Sequence, residues 1–180
     1  MKKFITLFVT LSILATSLFA TETSITIKGS VVERYLTTAL SYNTNGSTWL
    51  DISDSSSNSP YEISASNELT ESGETNDFRI TYSSNKTNDV DLTVKIIPSA
   101  FYLESGSLAN DATSLIPTVN TVSGINYNTV DGSSYTGTTT ITAGNHTNDV
   151  ASQFNLQWAG QADLASGDYV SNVSITYTAE

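Results

Sequence analysis

Val90, Leu92, Val94 and Ile96 alternate with Asp91, Thr93 and Lys95 until the chain meets Pro98. A run of period two places every apolar side chain on one face of a β-strand, and that face needs a partner layer to bury it. The pattern recurs along the chain, and no stretch carries the helical period. Phe78, Ile80 and Tyr82 share a face across residues 77–83. With the connector SSNKTND, that strand and 90–96 predict a hairpin with a long loop. Near the end, QFNLQWA aligns Phe154, Leu156 and Trp158, and YVSNVSITYT aligns Tyr169, Val173, Ile175 and Tyr177. Shorter alternating segments at 36–42, 48–53, 61–65, 125–129 and 135–142 complete an all-β reading. The last two are Thr-rich and predict edge or surface strands. NTNG at 43–46, DSSSNSP at 54–60, the acidic stretch 67–76 and residues 110–120 read as turns and exposed loops.

Few Leu and Lys and many Ser, Thr and Asn disfavour helix and suit strands and turns. No linker divides the chain, so residues 34–180 are expected to form one domain, long enough to bury a core of its own.

Residues 1–20 read as a secretory signal. Lys2 and Lys3 precede an apolar run over 4–14, and Ala20 closes it. The run is too short for a stable span, so no membrane span is expected in the mature form. Cleavage after Ser17, or retention as an amphipathic anchor, is the alternative. The chain contains no Cys, which excludes a disulfide scaffold. The formal net charge is −11 at pH 7, and loss of the leader's lysines makes it more negative. That field opposes nucleic acid and anionic membrane surfaces. It also suits plain solubility.

Catalytic chemistry has little to draw on. The single histidine, His146, sits in AGNHTND between two expected strands, where a solvated loop residue is the ordinary reading. Without Cys or a second His, neither a nucleophile–base set nor a zinc site assembles. No phosphate loop, HExxH or GxSxG occurs. The alternating Asp/Asn loop of calcium sites is absent, which leaves Asp51/Asp54 and Asp89/Asp91 as thin candidates. The glycosylation-type triplets at Asn45, Asn85, Asn145 and Asn172 are what so Ser/Thr/Asn-rich a chain produces by chance. No enzyme activity, cofactor or metal is expected, and a small secreted hydrolase is disfavoured. An outer-membrane barrel is set aside for want of aromatic girdles.

Residues 21–35, TETSITIKGSVVERY, pose a separate question. Ile25, Ile27, Gly29 and Val31 fall on one side, and Ser24, Thr26, Lys28 and Ser30 on the other. This strand has no obvious hairpin partner behind it. It buries its face in its own chain, as the first strand of a closed sandwich, or in another chain by β-strand addition.

The signal followed by ITIKGSVV, the segment TNDVDLTVKI, LQWAGQ, and SGDYVSNVSITYT together resemble the major subunits of alternate chaperone–usher fimbriae of the colonisation-factor type. The resemblance rests on the two ends of the mature chain. It implies an immunoglobulin-like β-sandwich that is incomplete and is completed by a donor strand from a neighbouring subunit. Residues 21–33 would be the donor, with Ile25, Ile27, Gly29 and Val31 entering the groove and Gly29 marking its shallow part. Phe154, Leu156, Trp158, Val173, Ile175 and Tyr177 would line the acceptor groove or its core. The implied partners are identical or related subunits head-to-tail, a periplasmic chaperone and an outer-membrane usher. The implied route runs through the periplasm to a fimbrium on the cell surface, where the fibre supports adhesion. The alternative is an autonomous secreted binding module for carbohydrate or calcium, with Trp49 and Tyr61 or Tyr135 as an exposed platform.

Overall fold

A computed structural model describes residues 36–55, 59–63, 68–104, 113–143 and 150–180. The expected strand over 24–32 and His146 lie outside the described residues. Among these residues the fold is all-β, with twelve strands and no helix. They are β1 (Leu36–Asn43), β2 (Trp49–Asp51), β3 (Gly73–Glu74), β4 (Phe78–Ser84), β5 (Val90–Pro98), β6 (Tyr102–Leu103), β7 (Thr118–Ser123), β8 (Asn128–Thr129), β9 (Tyr135–Ile141), β10 (Val150–Trp158), β11 (Tyr169–Val170) and β12 (Val173–Ala179).

One antiparallel sheet runs β2-β1-β4-β10, with β3 and β7 also on β10. Gln157 pairs with both Glu74 of β3 and Thr118 of β7, and Phe154 with both Phe78 of β4 and Thr121 of β7. So β3 continues the line of β4 on one side of β10, and β7 lies on the other. The second sheet runs β12-β5-β9-β8. The short β11-β6 pair extends the β12-β5 ladder past a corner at Ser99, whose N–H donates to Asn172 O at 2.8 Å.

The two larger sheets share one core, the arrangement of a β-sandwich. Ile80 and Phe154 from the first and Val90, Leu92, Val94 and Ile96 from the second are wholly buried within it. This corrects the expected hairpin: β4 and β5 do not pair but sit in opposite sheets. Each carries a row of buried apolar side chains, and the two rows meet through the interior. A hairpin would have placed both rows on one sheet, whereas here each row forms part of the layer that faces the other.

Other expectations also shift. β9 is an edge strand in part: it pairs with β5 along its length and with β8 only at Tyr135 and Thr136, which leaves 137–141 without a described strand on the other side. The stretch 118–120, read as loop, opens β7. Residues 73–74 of the acidic stretch join the sheet, and Leu69 packs against a second small core of Phe101, Leu115 and Trp158. The segment 61–63 is not a strand, although Ile63 still packs on the main core. The turn at 43–46 forms as read: Asn43 Oδ1 accepts from Gly46 N at 2.7 Å, and Gly46 takes φ +84°.

One lateral side of the sandwich is closed by the passage from β7 to β8. Ile125 and Tyr127 turn inward there. Ile125 N donates to Ser152 Oγ at 3.2 Å, and the Tyr127 ring meets Phe154 edge-on at 5.5 Å. Gly137 of β9 lies beneath, and a Cβ at that position would run into Ile125 Cγ2 and Asn126 O.

Candidate functional site

The opposite side of the sandwich is different. β12 is an edge strand: among the described residues it pairs only with β5. Glu180 and Asp91 exchange both backbone hydrogen bonds, at 3.1 and 3.2 Å. In an antiparallel ladder, alternate residues turn their backbone groups to opposite sides. Thr178, Thr176, Ser174 and Asn172 therefore point theirs at β5, which agrees with the bond from Ser99 N to Asn172 O. Ala179, Tyr177, Ile175 and Val173 point their N–H and C=O groups the other way, where no described strand lies.

The same alternation places side chains. Ile175, Tyr177 and Ala179 face the core yet stay half-buried, whereas their cross-strand partners Ile96, Val94 and Leu92 are wholly buried. The core is thus thin along this edge. On the first sheet, β2 pairs only with the second half of β1, at Ser41, Tyr42 and Asn43. The Ser53 hydroxyl covers Leu40, accepting from its N–H at 2.9 Å. Residues 36–39 pair with β4 alone among the described residues. Leu40 of β1 also packs on the core while half-exposed.

Tyr177 adds an unfinished polar contact. Its hydroxyl is buried and has no hydrogen-bond partner among the described residues. Burial pushes its ionisation well above the usual tyrosine range, and the nearby Tyr127 adds to the effect. Tyr127 is itself pushed up to about 12 by burial, less what its 3.3 Å contact with Ser152 Oγ offsets, with Tyr82 adding a smaller upward push.

The six residues expected at an acceptor divide into groups. Phe154 and Leu156 are buried in the main core, with Ile175 and Tyr177 packed against it. Trp158 belongs to the second cluster, with Phe101 edge-on at 5.8 Å. Val173 is 36% exposed. Ile25, Ile27, Gly29 and Val31 lie outside the described residues. Sequence reading missed Leu40 and Ala179 at the thin edge. Ala179 continues the alternation of 173, 175 and 177, a signal hidden by its small side chain.

The other candidates place simply. Tyr135 is buried in the core and cannot serve as a platform. Tyr61 lies with its ring 6.1 Å from that of Tyr42. Asp51 Oδ1 accepts from both Ser53 N and Ser53 Oγ, which holds its carboxyl below the usual range. Asp89 and Asp91 accept from Ala143 N and Thr140 Oγ1. No group of three metal-ligating side chains occurs among the described residues. Comparison with known families, curated proteins and solved structures finds no match to this chain.

Proposed function

We propose that this chain is a non-enzymatic structural subunit of a cell-surface fimbria. Its immunoglobulin-like sandwich is one strand short, and residues 21–33 of a neighbouring copy complete it. The observation that carries this reading is the edge of β12. Val173, Ile175, Tyr177 and Ala179 turn their backbone groups to that edge, and three of them present half-buried apolar side chains beside it. An added strand there would satisfy both needs at once.

The candidate donor has matching chemistry. Ile25, Ile27 and Val31 would contribute roughly 5–8 kcal/mol at about 1.5–3 kcal/mol each. A whole domain is stable by only about 5–15 kcal/mol. Strand supply and folding would then be nearly one event. Before assembly a periplasmic chaperone would cover the edge, and an outer-membrane usher would exchange it for the next subunit on the way to the surface. Head-to-tail addition gives an open fibre rather than a closed ring.

The absence of cysteine makes a direct test available. Ile27→Cys and Ile175→Cys are introduced together in the full chain and oxidised. Disulfide-linked multimers on non-reducing gels are expected. A monomeric intrachain disulfide would mean that the strand closes its own sandwich, and the fibre reading would fall.

A further inference from the structure

The turn from β1 to β2 holds the chain's single Asn-Gly pair, Asn45–Gly46. A glycine after an asparagine leaves its backbone nitrogen open to the asparagine side chain, because no Cβ stands between them. Such a pair can lose the side-chain amide without any enzyme. The Gly46 nitrogen gives up its proton and bonds to Asn45 Cγ, the Cγ–Nδ2 bond breaks, and ammonia leaves. Water then opens the cyclic imide to aspartate or isoaspartate. Both residues are exposed, and a Cβ at Gly46 would meet nothing within 4 Å, so water reaches the turn freely.

The hydrogen bonds of the turn work against the first of these steps. Asn43 Oδ1 accepts from Gly46 N at 2.7 Å and from Asn45 N at 3.2 Å. The shorter bond occupies the proton that cyclisation must remove, and a hydrogen bond made by the protonated form disfavours its loss. Asn45 Oδ1 accepts from Ser47 N at 3.1 Å, Ser47 Oγ at 3.1 Å and Thr48 N at 2.8 Å. These bonds fix the Asn45 side chain, yet they also polarise its carbonyl toward attack. The restraint therefore falls on the Gly46 proton and on its acceptor. That acceptor is anchored in the sheet rather than in the turn. Asn43 is 8% exposed, pairs with Trp49 at the end of β1, and donates its own N–H to Asp77 O at 2.9 Å.

We propose that Asn45 is a latent modification site, an imide-forming amide that Asn43 holds closed in the folded protein. The reaction matters to the fold. Isoaspartate at position 45 adds a carbon to the main chain inside the turn, where it would disturb the pairing of Asn43 with Trp49. Asn43 thus does two tasks: it shapes the turn, and it keeps the turn chemically intact. The inference does not depend on how the β12 edge is filled.

The test incubates full-length protein in warm, mildly alkaline buffer, folded and unfolded in urea. Peptide mass spectrometry then follows conversion at position 45. Conversion is expected in urea and is expected to be slower in the folded parent. Folded Asn43→Ala should convert about fivefold faster than the parent or more, the factor that corresponds to one ordinary hydrogen bond. Asn43→Asp keeps the acceptor and should convert no faster than the parent. Amide hydrogen exchange of Gly46 N–H in the parent gives a second reading, because exchange removes the same proton. It should be slowed, and this measurement stands even if Asn43→Ala does not fold. Exchange of Gly46 N–H at the rate of an open peptide overturns the proposal. So does conversion in the folded parent as fast as in urea, folded Asn43→Ala as slow as the parent, or Asn43→Asp as fast as Asn43→Ala.

Discussion

Tyr177 stands directly opposite Val94 in the β12–β5 ladder, and the two residues have unequal surroundings. Val94 is wholly buried, whereas Tyr177 is half-buried with its hydroxyl inside and unpartnered. A buried hydroxyl without a partner costs about 1–3 kcal/mol. Tyr177→Phe is therefore expected to leave monomer stability unchanged or raise it by about 1 kcal/mol. Urea denaturation reads this directly, and a clear loss would mean that the hydroxyl has a partner in solution.

The tyrosines also set an alkaline limit. Tyr127 is raised from 10.0 to about 12, and Tyr177 is raised as well. A group whose folded pKa lies above its unfolded value favours the folded state fully at pH values below the unfolded one. Ionisation of these buried hydroxyls therefore costs the folded state nothing below about pH 10; for Tyr127 the loss of stability runs as pH rises to about 12, and for Tyr177 it extends further into the alkaline range. Denaturation midpoints measured across that window should fall with pH. The fall should be shallower in Tyr127→Phe. An identical slope in that variant would show that Tyr127 does not drive it.

Gly137 is expected to tolerate no side chain. A Cβ there would meet Ile125 Cγ2 and Asn126 O where the chain crosses from β7 to β8. Overpacking of this kind costs about 1–3 kcal/mol. Gly137→Ala should lower the urea midpoint accordingly. Gly132 gives the control for added side-chain bulk, since a Cβ there meets nothing, although its φ of +79° carries a strain of its own.

The all-β class and most strand positions were legible because period-two rows survive in any sheet arrangement. The rows at 78–82, 90–96 and 154–158 form β4, β5 and β10 with the predicted faces inward. Strand pairing was not legible. A buried row says that a facing layer exists, not whether its chain neighbour is beside it or across from it. This is why the β4–β5 hairpin was expected and is absent. The edge position expected for Thr-rich β9 holds over 137–141, and only Tyr135 and Thr136 carry β8 as a further neighbour. Its outward threonines suggest solvent, but Gly137 and Ile141 report only on the inner face and say nothing about lateral neighbours. The row of Tyr169 with Val173, Ile175 and Tyr177 breaks at Ser171 and Asn172, where the ladder turns the corner at Ser99. Tyr169 consequently packs on the second small core. The thin edge at β12 needs knowledge of sheet order, which single-strand periodicity does not contain.

The two faces of β12 make opposite predictions for one chemical change. Ile175 faces the core beside wholly buried Ile96, whereas Thr176 faces solvent opposite Lys95. Ile175→Glu places an unpaired carboxylate against the core and removes apolar burial, a change expected to cost about 2–4 kcal/mol. Thr176→Glu gains an opposite charge across the strand and should stay within about 0.5 kcal/mol of the parent, on the stabilising side. Paired urea titrations separate the two. The same pair bears on assembly under the fibre reading: Ile175→Glu should abolish heat-labile multimers on unboiled gels, and Thr176→Glu should preserve them. Multimers that survive Ile175→Glu in a folded protein would mean that subunits meet elsewhere than at the core-facing side of β12.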